Sequence, residues 1–177
     1  EITDMKEHPK NLTVEEILVR SSNVGSVFLA KKVGQEKYKE FIEQTKLTKN
    51  PSIELEEVGS PHQLKWNNCK LETVSFGHGI TTTPLQVTAL YAAMSNGGNL
   101  ITPSIVLDKK NKIKNKIISN ETSIKILNML RKVVSSDDGT ASLADKEGYY
   151  VGGKTGTAES YDDNKNRLNT FISVFPT

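Results

Sequence analysis

The sequence predicts an α+β fold, with helices dominating residues 1 to about 135 and a sheet portion from about 140 to 177. Three observations support this. Apolar residues recur at helical spacing in several capped segments of the first part. Two strand-like runs near the end, Tyr149 to Ala158 and Leu168 to Phe175, flank the polar turn Asp162-Asp163-Asn164-Lys165-Asn166. No internal repeat or low-complexity tract suggests a solenoid or a disordered array. At 177 residues, 36% hydrophobic and 25% charged, the chain suits a soluble globular domain with a buried core.

Taken in order, residues 12–33 predict a helix, an interruption and a second helix. Thr13 with Glu16 has capping-box spacing, and Val14, Ile17 and Leu18 form a short apolar stripe. Ser21-Ser22-Asn23 breaks the pattern, and Val24, Val27 and Phe28 begin a new stripe that Gly34 stops. Tyr38, Phe41 and Ile42 mark a third amphipathic segment. Residues 45–75, punctuated by Pro51, Gly59 and Pro61, predict a long irregular excursion. Thr83-Pro84 then starts a helix whose body, Leu85 to Met94, is apolar enough to be buried, and Asn96-Gly97-Gly98 ends it. Ile101 to Leu107 and Ile113 to Ile118 predict a strand pair around the turn Asp108-Lys109-Lys110-Asn111. Ile124, Leu127, Leu130 and Val134 predict the last helix, closed by residues 135–139.

Composition excludes several function classes. The 23 basic and 21 acidic side chains leave a formal charge of +2, so no excess of charge argues for nucleic acid as a partner. Lys109, Lys110, Lys112, Lys114 and Lys116 read as the solvated face of a hairpin. Cys69 is the only cysteine, so neither an internal disulfide nor a cysteine zinc cage can form. His8, His62 and His78 lack metal-ligand spacing, and neither a metal nor a cofactor is expected. No apolar run approaches the ~18 residues of a membrane span, and Glu1 to Lys6 is not a signal peptide. Any export signal or anchor is expected outside this chain.

Two motifs mislead. Gly148-Tyr149-Tyr150-Val151-Gly152-Gly153-Lys154-Thr155 fits the phosphate-loop pattern letter for letter. A phosphate loop, however, follows an apolar strand, uses small residues and opens into a helix. Here Asp145-Lys146-Glu147 precedes it, bulky side chains fill it, and Gly156 interrupts the place for the helix. Gly77-His78-Gly79 lacks the third glycine of a dinucleotide loop, since Thr82 stands there; a tight turn explains it better.

The informative pair is Ser21-Ser22-Asn23 with Lys154-Thr155-Gly156-Thr157. Individually these are ordinary: serine and asparagine favour helix breaks, a lone lysine is a surface residue, and threonines suit strands. Between them lie Ser75-Phe76-Gly77-His78-Gly79-Ile80, Thr83-Pro84-Leu85-Gln86, Asn96-Gly97-Gly98 and Asp138-Gly139-Thr140-Ala141. In that order and combination, over nearly its whole length, the chain resembles the transpeptidase domain of class B penicillin-binding proteins, most of all the septal, division-type branch. Ser-x-x-Lys, Ser-Asp-Asn and Lys-Thr-Gly are the signature of such active-serine enzymes, and Ser22 here stands at the variable middle position of the second.

The resemblance implies a penicillin-binding, serine β-lactamase-like fold and a D,D-transpeptidase that cross-links peptidoglycan stem peptides ending in D-Ala-D-Ala. It also implies each residue's role. Ser21 and Lys154 would be catalytic, Ser21 relaying a proton between Lys154 and the departing amine. Asn23, Thr155, Gly156 and Thr157 would hold substrate, and the Thr157 backbone N–H would form half of an oxyanion hole. Ser22 is given no role. No Ser-x-x-Lys occurs in the 177 residues, so the nucleophile is expected outside this chain, on a segment preceding Ser21. The domain is therefore expected to be partial at both ends. Implied partners are β-lactams in the complete protein, a glycosyltransferase and other membrane proteins of the division or elongation machinery. The whole protein would be anchored in the cytoplasmic (inner) membrane with this domain outside the cytoplasm. The competing expectation is a non-catalytic binding or structural fragment of the same machinery.

Overall fold

The computed structural model describes residues 1–56, 58–107, 115–159 and 166–177. The tips of both expected hairpins, Asp108 to Asn111 and Asp162 to Lys165, lie outside the described residues, as do Lys112 and Lys114. The elements run α1 (Val14–Val19), α2 (Asn23–Val33), α3 (Gln35–Thr45), α4 (Lys70–Ser75), α5 (Pro84–Ser95), β1 (Asn99–Leu100), β2 (Asn115–Lys116), α6 (Asn120–Ser135), a single 3₁₀ turn (Ser142–Ala144), β3 (Gly152–Glu159) and β4 (Arg167–Val174). They form two compact units interleaved in sequence, one of Glu1–Gly25 with Lys125–Thr177 and one of Ser26–Ile124.

In the first unit, α1 begins with the expected capping box. The Thr13 hydroxyl accepts the Glu16 N–H at 3.2 Å, and the Glu16 carboxylate accepts the Thr13 N–H at 2.7 Å. Those hydrogen bonds hold the exposed Glu16 carboxyl below its ordinary value. Val19, Val133, Val134 and Ala141 form the core, with Leu18 and Ala144 packed against it. The α1 stripe is thus turned from its expected position: Val14 is exposed and Val19 is buried. On α6, Leu130 and Val134 are buried as expected, but Val133 joins them and Ile124 stays exposed. The expected Val24 and Phe28 stripe of α2 is likewise exposed. Gly25 explains this, because a Cβ there would sit 2.6 Å from Ile17 Cγ1. The start of α2 thus meets α1 through a bare glycine face, not through its apolar stripe.

β3 and β4 pair antiparallel over eight residues, from Gly152 opposite Val174 to Glu159 opposite Arg167. Short side chains make the ladder tight at one point in particular. A Cβ on Gly153 would lie 2.7 Å from the Phe171 ring and 2.5 Å from the Ile172 carbonyl oxygen.

The second unit buries Ala30, Ile42, Leu71, Val74, Ala93 and Leu100. Tyr38 of α3 packs edge-on against Trp66, ring centroids 6.5 Å apart. The excursion expected over 45–75 contains the short helix α4, which local pattern did not reveal. α5 starts at Thr83 with a second reciprocal box to Gln86 and proline in its first turn. It is half-buried more than buried, with only Gln86 and Ala93 fully enclosed. Gln86 extends its box outward, donating from Nε2 to the carbonyls of Lys46 at 3.0 Å and Lys49 at 2.6 Å.

The strand pair expected for 101–107 and 113–118 is much shorter. Among the described residues of this stretch only Asn99–Leu100 and Asn115–Lys116 pair, and Ile113 lies outside the described residues. Pro103 cannot donate to a ladder, and the next residues are captured by a side chain. Glu54 accepts the Ser104 hydroxyl at 2.8 Å and the Ile105 N–H at 3.1 Å.

Candidate active site

The site is built from the turn between α1 and α2 and from strand β3, all within the first unit. Ser21 sits in the left-handed region, φ 59°, a conformation that costs an L-residue roughly 1–2 kcal/mol. Its N–H donates to the Leu18 carbonyl at 3.2 Å, and the Ser22 N–H donates to the Ile17 carbonyl at 3.0 Å. These bonds close α1 while the chain reverses. The reversal aims the Ser21 hydroxyl at β3, where Lys154 Nζ donates to Ser21 Oγ at 2.7 Å. The two residues stand 133 positions apart.

Lys154 Nζ also donates to the Thr155 carbonyl at 3.0 Å. The amine is half-buried, and desolvation pulls it below the ordinary lysine value. Burial thereby favours the neutral amine, while a hydroxyl and a carbonyl, both uncharged, receive its protons. This is a group readied to gain and lose a proton.

Strand alternation puts Lys154 and Gly156 on one face of β3 and Thr155 and Thr157 on the other. The Thr155 hydroxyl donates to Thr140 Oγ1 at 2.9 Å, and the Thr157 hydroxyl donates to Asn169 Oδ1 at 3.2 Å. A Cβ at Gly156 would fall 2.7 Å from Thr170 Oγ1. The glycine is therefore required by its cross-strand neighbour, independently of any ligand.

Asn23, the third residue of the turn, is the first of α2. Its Nδ2 donates to the Thr3 carbonyl at 3.2 Å, so its amide orientation is set by the beginning of the chain. Ser22 is 2% exposed, and its hydroxyl accepts the Gly25 N–H at 2.9 Å, which makes it the N-cap of α2. The structure brings Ser21 and Lys154 into direct contact and places Thr155, Gly156 and Thr157 along the same strand. Sequence reasoning missed the functional neighbours Asp4, Thr3, Thr140 and Asn169. Of these, Thr140 lies in the segment Asp138-Gly139-Thr140-Ala141 and Asn169 in the strand expected over Leu168 to Phe175, both visible in the sequence, though neither residue was assigned a contact.

The phosphate-loop spelling has no counterpart in the structure. Tyr150 is left-handed at φ 49°, and Lys154 lies inside β3 where a phosphate loop would open into a helix. Among the described residues, no group of three or more His, Cys, Asp or Glu side chains is gathered as metal ligands would be. No described helix is long and apolar enough to cross a membrane.

Comparison with known proteins agrees with this geometry. Residues 1–177 match the family described as the penicillin-binding protein transpeptidase domain. A probable peptidoglycan D,D-transpeptidase FtsI of Caulobacter vibrioides is 32% identical over 94% of this chain and 30% of its own length. Stage V sporulation protein D of Bacillus subtilis is 34% identical over 93% of this chain and 28% of its own length. The chain thus spans about a third or less of these curated relatives. Among solved structures, apo penicillin-binding protein 3 of Mycobacterium tuberculosis superposes with a TM-score of 0.84 at 25% identity, covering 98% of this chain and 45% of that one. The transpeptidase domain of Burkholderia pseudomallei penicillin-binding protein 3 gives 0.84 at 27% identity, covering 93% and 52%. In sequence and in its α+β, penicillin-binding fold, the chain belongs to the penicillin-binding protein transpeptidase domain family.

Proposed function

We propose that the chain forms two walls of the cleft of a peptidoglycan D,D-transpeptidase whose nucleophilic serine comes from polypeptide outside these 177 residues. The observation that carries this reading is the 2.7 Å contact between Lys154 Nζ and Ser21 Oγ, made by a half-buried amine that desolvation holds below the ordinary lysine value.

In the proposed reaction the serine Oγ attacks the carbonyl carbon of the penultimate D-alanine of a stem peptide. The developing oxyanion is held by the Thr157 N–H and by the nucleophile's own N–H. The attacking serine's hydroxyl proton passes through Ser21 to the Lys154 amine in its neutral form; the C–N bond to the terminal D-alanine then breaks, and its amine leaves with that proton returned from Lys154 through Ser21. A second stem peptide's amine then attacks the acyl-serine, restoring the hydroxyl and forming the cross-link. Asn23 offers an amide donor and acceptor to the substrate backbone. The Thr155 and Thr157 hydroxyls, which donate to Thr140 and Asn169 on the face of β3 away from Lys154, would donate to the terminal carboxylate on releasing those partners. The Gly156 position leaves the strand bare for close approach.

On this reading the complete protein is acylated by β-lactams. It is anchored in the cytoplasmic membrane with this domain outside the cytoplasm, and works beside a glycosyltransferase and other membrane proteins of division or elongation. The names of relatives support the chemistry: several are named peptidoglycan D,D-transpeptidases, and the Mycobacterium tuberculosis protein has been solved with ampicillin and with aztreonam.

Labelling with a fluorescent penicillin tests the proposal. The complete protein should label covalently at one serine, and these 177 residues alone should not. A complete, folded protein that never labels would favour a non-catalytic role in the cell-wall machinery. Labelling of the isolated chain would show the nucleophile to be within it.

A further inference from the structure

Asp4 lies far from the motifs in sequence, yet its carboxylate is the most heavily used group at the base of the turn. Oδ1 accepts the N–H of Asn23 at 2.5 Å and of Val24 at 3.1 Å, while Oδ2 accepts the Ser22 hydroxyl at 3.0 Å. The carbonyl of the preceding residue, Thr3, accepts from the Asn23 side chain at 3.2 Å. One short stretch of chain therefore fixes the backbone of Asn23, the hydroxyl of Ser22 and the amide of Asn23 together. The carboxylate also faces the N-terminal, positive end of α2, an eleven-residue helix. Its side chain is 17% exposed, and His8 Nε2 stands 3.9 Å from Oδ2.

The turn needs such a fastening. Ser21 is held in a left-handed conformation with no glycine to relieve it. Its hydroxyl meets Lys154 only while the residues on both sides stay fixed. The α1 side is secured by the backbone bonds to Ile17 and Leu18. On the α2 side, Ser22 caps its own helix through the Gly25 N–H, and the carboxylate of Asp4 holds Ser22, Asn23 and Val24.

We infer that Asp4 is a positioning residue: by clamping Ser22, Asn23 and Val24 it keeps Ser21 Oγ against Lys154 and presents the Asn23 amide. The inference rests on the proposed function, because it assigns Asp4 to the Ser21–Lys154 relay. Its role is geometric, and it touches neither substrate nor the reacting atoms.

The test uses the complete protein and a fluorescent penicillin, with the non-covalent binding constant and the first-order acylation constant measured separately. Asp4→Ala should lower the acylation constant about tenfold and change binding less than threefold. The same change in a Ser21→Ala background should cost less than twofold, because the positioned hydroxyl is already gone. Asp4→Asn retains an oxygen for the backbone N–H groups but cannot accept the Ser22 hydroxyl as well, so it should lose about threefold; it also serves if Asp4→Ala does not fold. A folded Asp4→Asn or Asp4→Ala protein with an unchanged acylation constant, or an equal loss in the Ser21→Ala background, overturns the inference.

A second measurement separates this inference from the proposed function. In protein labelled with ¹³C at lysine Cε, the Lys154 signal, identified by its disappearance in Lys154→Arg, should titrate higher in Asp4→Asn as Ser21 withdraws and water reaches Nζ. If the complete protein shows no acylation at all, the proposed function fails, while this titration still decides the role of Asp4. An unmoved Lys154 titration overturns it.

Discussion

Three helix starts in this chain are capped in two different ways. α1 and α5 carry their caps within a few residues: Thr13 with Glu16, and Thr83 with Gln86. α2 has its own Ser22 but takes its anion from Asp4, nineteen residues before Asn23. A local cap secures one element and contributes about 1 kcal/mol to it. A remote cap also joins two stretches of chain, and here the joined stretch carries the hydroxyl that meets Lys154. Stability and chemistry should therefore respond differently to the two kinds of cap.

The largest expected effect removes the chemistry while leaving every cap in place. Lys154→Ala in the complete protein should slow penicillin acylation by roughly 10²–10⁴-fold, the range for a lost proton-transfer group, with little change in the thermal midpoint. Unchanged acylation would remove Lys154 from the mechanism. The pH dependence sharpens this. Because burial lowers the Lys154 amine, the acylation profile should break below the ordinary lysine range, and the break should vanish in Lys154→Ala. The stability sign follows from the same direction. Between the lowered folded value and the ordinary unfolded one, the unfolded chain binds more protons. The cost of burying the charge is complete below that window and fades as pH rises through it.

Next in size is the outward tie of the α5 cap. Gln86→Leu takes the side-chain donor from the Lys49 carbonyl, leaves the Lys46 carbonyl only the Lys49 N–H, and should cost roughly 1–3 kcal/mol in denaturant unfolding, with acylation by the complete protein unaltered. A loss of acylation at full stability would mean that this cap is not merely local scaffolding. Smallest is the purely local box: Thr13→Ala should cost about 1 kcal/mol and leave the acylation constant within twofold. If Thr13→Ala slowed acylation as much as Asp4→Ala, the distinction between near and far caps would collapse.

The near caps were also the legible ones. Thr13 with Glu16, and Thr83 with Pro84, announce themselves because their partners lie within one turn. Ser21 and Lys154 could be paired across 133 positions only through the joint occurrence of their motifs, since no periodicity links them. Asp4 was invisible for the same reason: an aspartate in an irregular leading segment has no spacing relation to a serine it meets through the fold. The strand pair beyond Leu100 was misjudged because apolar, β-branched residues were weighed without Pro103 and without the distant Glu54, which draws Ser104 and Ile105 away from any ladder. The stripes on α1 and α2 are rotated or exposed because Gly25, which lacks a side chain and so carries no hydrophobic signal, packs directly against Ile17 at the α1–α2 corner.

Ser22 and Asp4 have one further consequence. The Ser22 hydroxyl and the N–H groups of Asn23 and Val24 all converge on the single carboxylate of Asp4. Aspartate in place of Ser22 would set two carboxylates about 3 Å apart, and one would be forced to hold a proton. An acid at position 22 is therefore least costly where position 4 is not acidic. A sequence that changes one is expected to change the other, so positions eighteen apart should vary together as a single exchangeable unit.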